Sequence, residues 1–337
     1  MALGTANAIP VINLAKFDAS EKRRRELAIE LNRAAINTGF FYVSGHDVDP
    51  QLQIQLEQLT QQFFALPLAD KMQLRMALAG RAWRGYFPVG GELTSGLPDL
   101  KEGLYLGQEL PASHPKVIAG VPMHGANLFP QLEGFKETVL SYMNSVTELG
   151  HRLMRLLSLS LNLDENYFNH HFTNDPLLLF RIFHYPPPKK PDEVRSWGVG
   201  EHTDYGLLTI LKQDNCGGLE IKRDGLWIEA PYIANTFVCN IGDMLERMTG
   251  GLYKSTLHRV RNVSGKDRYS YPLFFDPGFD VKVGLLPGCS IKGDPLKDRW
   301  DQRSVHEFTG TYGDYILGKV GKVFPDLVAG TSSNQAT

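Results

Sequence analysis

The chain predicts a mainly β protein, an antiparallel sandwich or barrel with helices flanking it. Three observations carry that reading. Short apolar runs separated by Gly, Asp, Asn and Pro turns crowd the second half, whereas helical periodicity dominates the first. With 337 residues, 42% of them hydrophobic and 21% charged, the chain suits one large core with helical additions.

The elements follow in order. Ile9 to Leu14 is extended, and Ser20 caps a helix carrying Leu27, Ile29, Leu31 and Ala34 before Gly39 stops it. Phe40 to Val43 reads as a strand. Asp49-Pro50 starts a second helix with Leu52, Leu56, Leu59 and Phe63 at helical spacing, and Pro67 opens a shorter one. A Gly/Pro-rich loop runs from Arg84 to Leu97. Phe135 to Leu161 has the length of a long helix, with Val139, Met143, Val146, Leu149, Leu153 and Leu156 as its buried stripe. The period then shortens: Leu177 to Tyr185, Leu207 to Lys212, Leu219 to Lys222, Phe237 to Ile241 and Tyr269 to Phe275 are expected strands.

Composition excludes several classes of function. A net charge of -2 offers no basic face for nucleic acid. Cys216, Cys239 and Cys289 are few and widely spaced, which fits a reducing compartment and no disulfide framework. Met1 to Asn7 lack the basic start and apolar run of a signal peptide, and no apolar stretch approaches the ~20 residues of a membrane span. A cytoplasmic protein without membrane contact is therefore expected.

The chemistry concentrates in the second half. Residues two apart on a strand share a face, so His202 and Asp204 can offer an imidazole and a carboxylate to one ion, with His258 as a third ligand. Two imidazoles and a carboxylate leave three positions open, the facial arrangement of non-haem Fe(II) oxygen chemistry. No thiolate accompanies them, which argues against a closed structural zinc site. A His-x-Asp pair alone arises often by chance. Arg268 and Ser270, again two apart, raise its meaning: a guanidinium fork and a hydroxyl beside an open metal form an anion clamp. On the strand Leu177 to Tyr185, alternation puts Arg181, Phe183 and Tyr185 on one side, where Tyr185 can reach the same anion.

Other motifs read as ordinary structure. Met248 to Ser255 suggests a phosphate loop, but Tyr253 stands before the lysine where a glycine is needed, so it reads as a helix-ending turn. His170-His171 are adjacent and diverge on helix and strand alike. Trp83 and Trp197 are lids or local cores.

With these residues in place, the chain resembles the 2-oxoglutarate and Fe(II)-dependent dioxygenases of the isopenicillin N synthase-like group over nearly its whole length. The resemblance is carried by the amino-terminal Ile-Pro-Val-Ile-Asn-Leu, Gly39 to Val43, Tyr185-Pro186-Pro187, Gly200 to Gly206, Asn240 to Leu245 and Lys254 to Val260. It implies a double-stranded β-helix, or jelly roll, with the metal inside one end and amino-terminal helices packed outside. It implies one oxygenase unit, with a helix-rich part over residues 1–165, the metal-bearing jelly roll over 175–285 and a helical part over 286–328, while the Ser/Asn/Thr composition after Ala329 gives a disordered tail over 329–337. The iron ligands would be His202, Asp204 and His258. Arg268 and Ser270, with Tyr185, would hold the far carboxylate of 2-oxoglutarate. Relatives often carry Asn where this chain has Phe183. The implied reaction couples O₂ and 2-oxoglutarate to oxidation of a C–H bond, most commonly hydroxylation, with release of succinate and CO₂.

For the small-molecule substrate, Phe274 shares the Arg268 and Ser270 face, Tyr205 adjoins a ligand, and Phe183 lies beside Tyr185. The loop from Gly85 through Glu92 to Asp99 resembles a pocket-lining segment of bacterial ethylene-forming enzymes, where an acidic residue matching Glu92 meets a cationic amino acid. An amino-bearing or cationic substrate is the resulting expectation. Ethylene production is not expected, because Phe183, Tyr185 and Ser270 follow other patterns. Two alternatives stand beside this reading: an iron oxidase of the isopenicillin N synthase type that does not use 2-oxoglutarate, and a non-catalytic metal-binding jelly roll acting as a sensor. The ligand set would also accept Mn, Co, Ni or Zn. A monomer or homodimer is expected.

Overall fold

The computed structural model describes residues 9–94, 97–187, 197–291 and 305–323. The tail expected after residue 328 lies outside them. Two sheets face each other. The larger contains eight strands: β1 (Val11–Asn13), β2 (Phe40–Ser44), β3 (Gly85–Phe87), β6 (Glu102–Gly107), β7 (Leu177–Tyr185), β9 (Leu208–Gln213), β12 (Phe237–Ile241) and β14 (Arg268–Asp276). Their spatial order is β1-β2-β12-β9-β14-β7-β6-β3, and every pair but β1 and β2 is antiparallel. The smaller sheet runs β11 (Leu226–Glu229), β10 (Leu219–Arg223), β13 (His258–Val260) and β8 (Val199–His202). A short hairpin, β4 (Leu93–Thr94) with β5 (Leu97–Pro98), crosses the loop expected from Arg84 to Leu97. This is the jelly roll with flanking helices that the sequence predicts. The first half contributes four strands to its main sheet, two of which, β3 and β6, are too short or too Gly-rich to read as strands.

Alternation along β14 explains how the two faces of that sheet differ. Leu273 and Phe275 are buried under helices, while Arg268, Ser270, Phe274 and Asp276 point toward the smaller sheet. The helices α1 (Glu21–Asn37), α2 (Pro50–Phe64), α3 (Leu68–Met72), α4 (Pro115–Ile118), α5 (Phe135–Ser160) and α6 (Tyr167–His171) precede the jelly roll strands from β7 on. Ser20 caps α1 by accepting from Arg23 N, and Asp49 caps α2 by accepting from Gln51 N. All six predicted stripe residues of α5 are buried, whereas Ile29 of α1, expected inside, faces solvent. Gly150 lets α5 close onto the sheet, since a Cβ there would sit 2.5 Å from the Phe275 ring. His170 and His171 end α6, and α7 (Asp243–Met248) ends at the turn that resembled a phosphate loop. α8 (Tyr312–Val323) returns to the open end between the sheets.

Candidate active site

The smaller sheet positions the two histidines. His258 of β13 pairs directly with His202 of β8, and their rings lie 4.2 Å apart between centroids. Asp204 does not share the strand, as its spacing suggested. β8 ends at His202, and Asp204 sits in the following loop, where its carbonyl accepts from Asp243 N at 2.7 Å. That loop turns against β14: a Cβ on Gly206 would meet Asp276 Oδ1 at 1.4 Å, so only glycine allows the approach. The result still converges. Asp204 Oδ1 lies 3.6 Å from His202 Nε2 and 3.6 Å from His258 Nε2, and the three potential donor atoms fall within 4.8 Å of one another.

Each donor is held by its other atom. His202 Nδ1 donates to Gly200 O at 2.8 Å and His258 Nδ1 to Thr256 O at 3.0 Å, because a carbonyl can only accept. Both Nε2 lone pairs therefore face inward. Asp204 Oδ2 accepts from Asn240 Nδ2 at 2.7 Å and from the Thr209 hydroxyl, leaving Oδ1 toward the imidazoles. Burial and the neighbouring His258 bring the His202 pKa down to about 4, against the opposite pull of Asp204. Burial alone would raise Asp204, but His258, His202, Asn240 and Thr209 outweigh it and hold the carboxyl below its ordinary value. Neutral imidazole beside ionised carboxylate is the state a divalent ion requires.

The residues expected to form the anion clamp are also brought together. On β14 and β7, Arg268 pairs with Tyr185 and Ser270 with Phe183. Arg268 is 1% exposed; its Nε donates to Gly217 O at 2.7 Å, its guanidinium lies 4.7 Å from the Tyr185 ring centre, and its Nη1 is buried with no hydrogen-bond partner. A buried donor left unpaired costs about 1–3 kcal/mol. Ser270 Oγ and Tyr185 Oη, 3.4 Å apart, complete the group.

Triad and clamp open into one cavity of about 520 Å³ between the sheets. Phe274, Tyr205, Phe183 and Glu92, the residues expected beside the substrate, all line it. Glu92, however, is no free carboxylate. Its Oε2 lies 2.8 Å from Lys101 Nζ and its Oε1 accepts from the Tyr105 hydroxyl. Lys101 also pairs with Asp99, which binds Thr94 at 2.6 Å. Burial opposes the Lys101 charge, yet the two carboxylates prevail and raise its pKa. Sequence reasoning overlooked Lys101, Tyr105 and the α8 residues Ile316, Lys319 and Val320, all of which line the cavity. Of these, only Tyr105 and Lys101 carried a signal, in a run that alternates through Gly103.

Comparison with known proteins agrees with this geometry. Residues 9–132 match the family model of the N-terminal region of non-haem dioxygenase in morphine synthesis, and residues 175–277 match that of the 2OG-Fe(II) oxygenase superfamily. A probable iron/ascorbate oxidoreductase of Dictyostelium discoideum is 51% identical over 350 residues, covering 96% of each chain. The chain belongs to the 2OG-Fe(II) oxygenase superfamily. A homoarginine-6-hydroxylase of Glycine max is 34% identical, covering 95% of this chain and 98% of its own. The crystal structure of a full-length Neurospora crassa protein in complex with alpha-KG and thymine matches with a TM-score of 0.79 at 27% identity, over 95% of this chain and 98% of that one.

As a 2OG-Fe(II) oxygenase, the protein is an oxidoreductase that uses Fe(II), 2-oxoglutarate and O₂, and small molecules are the substrates typical of its family. The residues present fit both groups. Two inward Nε2 atoms and one carboxylate oxygen form an open nitrogen and oxygen donor set suited to Fe(II). The unpaired Arg268 Nη1 beside two hydroxyls suits a carboxylate. No helix among the described residues is long and apolar enough to cross a membrane.

Proposed function

We propose that this oxygenase hydroxylates a C–H bond of a small amino-bearing or cationic molecule, releasing succinate and CO₂. His202, Asp204 and His258 would hold Fe(II). Arg268, Ser270 and Tyr185 would hold the far carboxylate of 2-oxoglutarate. Bound there, Fe(II) with 2-oxoglutarate and O₂ supplies the oxidising power for the C–H bond. The protein's own part is to bind and orient. The backbone carbonyls of Gly200 and Thr256 fix both histidine tautomers, Asn240 and Thr209 aim one Asp204 oxygen, and Phe274, Phe183 and Tyr205 narrow the space from which water must be excluded.

The observation that carries this reading is the convergence of three donor atoms beside a buried guanidinium with an unpaired nitrogen. Substrate-stimulated succinate release with matched O₂ uptake tests it, using a panel of amino-bearing and neutral small molecules. Asp204→Ala should reduce both signals to the level without enzyme. Substrate-dependent O₂ uptake without succinate would instead indicate an oxidase that does not use 2-oxoglutarate.

Two features support the substrate class. Glu92 and Asp99 share the single ammonium of Lys101, so that wall has carboxylate oxygens with which an amino group can pair. One relative is named for an action on homoarginine, a cationic amino acid. Three widely spaced cysteines, with no disulfide among the described residues, support a reducing, cytoplasmic setting. We place the protein there as a monomer or homodimer formed of a single oxygenase unit.

A further inference from the structure

Four cationic side chains line the cavity, and three have evident partners or tasks. Lys101 is shared by Glu92 and Asp99, Lys319 lies 3.8 Å from Asp243, and Arg268 belongs to the clamp. Arg181 differs. It is 7% exposed, its Cζ lies 3.5 Å from the Tyr105 ring centre, and its Nη1 donates to Leu106 O and Phe180 O, each at 3.2 Å. Among the described residues no carboxylate forms an ion pair with it; Glu92 and Asp276 act on it only at longer range. A buried charge is costly unless an opposite charge meets it, and two neutral carbonyls do not supply one.

Strand register locates the counter-charge. Thr209, which holds Asp204, pairs with Phe274, and Phe274 pairs with Leu179. Arg181 is the next residue of β7 on the cavity side, between that rung and the Phe183 to Tyr185 rungs of the clamp. Across the sheet it faces Tyr105, whose hydroxyl is bound to Glu92. A cation without an ion-pair partner and two carboxylates sharing one ammonium thus stand on opposite sides of one tyrosine.

We infer that Arg181 seats a carboxylate of the prime substrate, while the Glu92 and Asp99 wall receives its amino group, so that the substrate is a free amino acid. This rests on the amino-bearing reading above and sharpens it. Tyr105 sets the spacing, because its ring carries the guanidinium and its hydroxyl carries Glu92. Arg181 lines the cavity with Nη1 anchored to the backbone and Tyr105 against its guanidinium, and a guanidinium held in this way can pair with a carboxylate.

The test compares L-arginine, L-lysine and L-homoarginine with agmatine and cadaverine, which lack the carboxylate, and with 5-guanidinovaleric and hexanoic acids, which lack the α-amino group. Iron-loaded enzyme is assayed for succinate release, and the same probes are titrated calorimetrically into metal-free protein. Amino acids should exceed the matching amines by roughly 30-fold or more, the range for removing one partner of a buried charge pair. Arg181→Met should erase that ratio, and Arg181→Lys should restore part of it, while KM for 2-oxoglutarate stays within about twofold of wild type. Amines that perform as well as amino acids would overturn the assignment and leave the amino-bearing reading intact. If hexanoic acid, which carries no cation, performs as well as the amino acids, the free amino acid assignment falls together with the amino-bearing reading, and only the carboxylate seat at Arg181 remains. Absence of binding by every carboxylate-bearing probe, or an Arg181→Met effect confined to 2-oxoglutarate, would also overturn it. Because the wild-type panel decides the first comparison, the test survives a variant that fails to fold.

Discussion

The metal-donor cluster and the β6–β7 wall of the same cavity are built on opposite principles. In the cluster, each of three donors has one atom fixed by a hydrogen bond and one left facing its neighbours. In the wall, Glu92, Asp99, Lys101 and Tyr105 are bound to one another, and Arg181 is the member without an opposite charge. The cluster therefore presents an open donor set that suits a divalent ion. The wall presents a nearly balanced network with one open term, and a small change of residue there would alter which molecule completes it.

The contrast can be broken at its strongest point first. Asn240 donates to Asp204 without touching the donor triangle, so Asn240→Ala should weaken metal affinity by about 10- to 100-fold, the usual range for such supporting partners. Calorimetric titration of Fe(II) or Mn(II) under anaerobic conditions measures it. An unchanged affinity would mean that Thr209 alone positions the carboxylate. On the wall, the effect should appear in selectivity instead. Glu92→Gln should lower the kcat/KM ratio of amino-bearing compounds over matched compounds without the amino group by about tenfold, with metal affinity unaltered. A ratio that does not move would remove Glu92 from substrate recognition.

The smallest effect concerns stability. Burial pushes the Asp276 carboxyl up to about 7 from 3.8, against the hydrogen bonds from Tyr312 and Leu207 N. Folded protein then holds a proton that the unfolded chain releases between those values. The stability this group contributes is full below about pH 4 and is lost as pH rises through about 7. Asp276→Asn should flatten that decline, measured as denaturation midpoints of metal-free protein at ~pH 5 and ~pH 8. A slope identical to wild type would place the titration elsewhere.

Much of this architecture can be read from the chain, and the exceptions have physical causes. Leu177–Tyr185 and Phe237–Ile241 coincide with their predicted bounds because continuous apolar runs ended by Pro or Gly leave little choice. His202 and His258 are legible through spacing to Arg268 and Ser270. Strand alternation points to Asp204 for a partly mistaken reason, since its strand stops at His202 and a loop pinned by Asp243 N brings the carboxylate round. The same alternation puts Arg181 on the inner face of β7, but nothing local shows that no carboxylate would reach it. Lys101 escapes notice because a lysine in a Gly/Pro-rich stretch reads as solvated, whereas Glu92 and Asp99 bury it. The contribution of α8 depends on contacts between segments far apart in the chain, which no periodicity records.

That helix has a consequence for how the protein is made. α8 follows every other described element in the chain, yet its Ile316, Lys319 and Val320 form part of the cavity wall, and Tyr312 binds Asp276 while Tyr315 binds Asp243. During synthesis the jelly roll strands emerge first, at roughly 5–20 residues per second. Two sheets that paired before α8 left the ribosome would have an open trough between them. The last described segment to be translated is thus the one that turns a trough into a chamber.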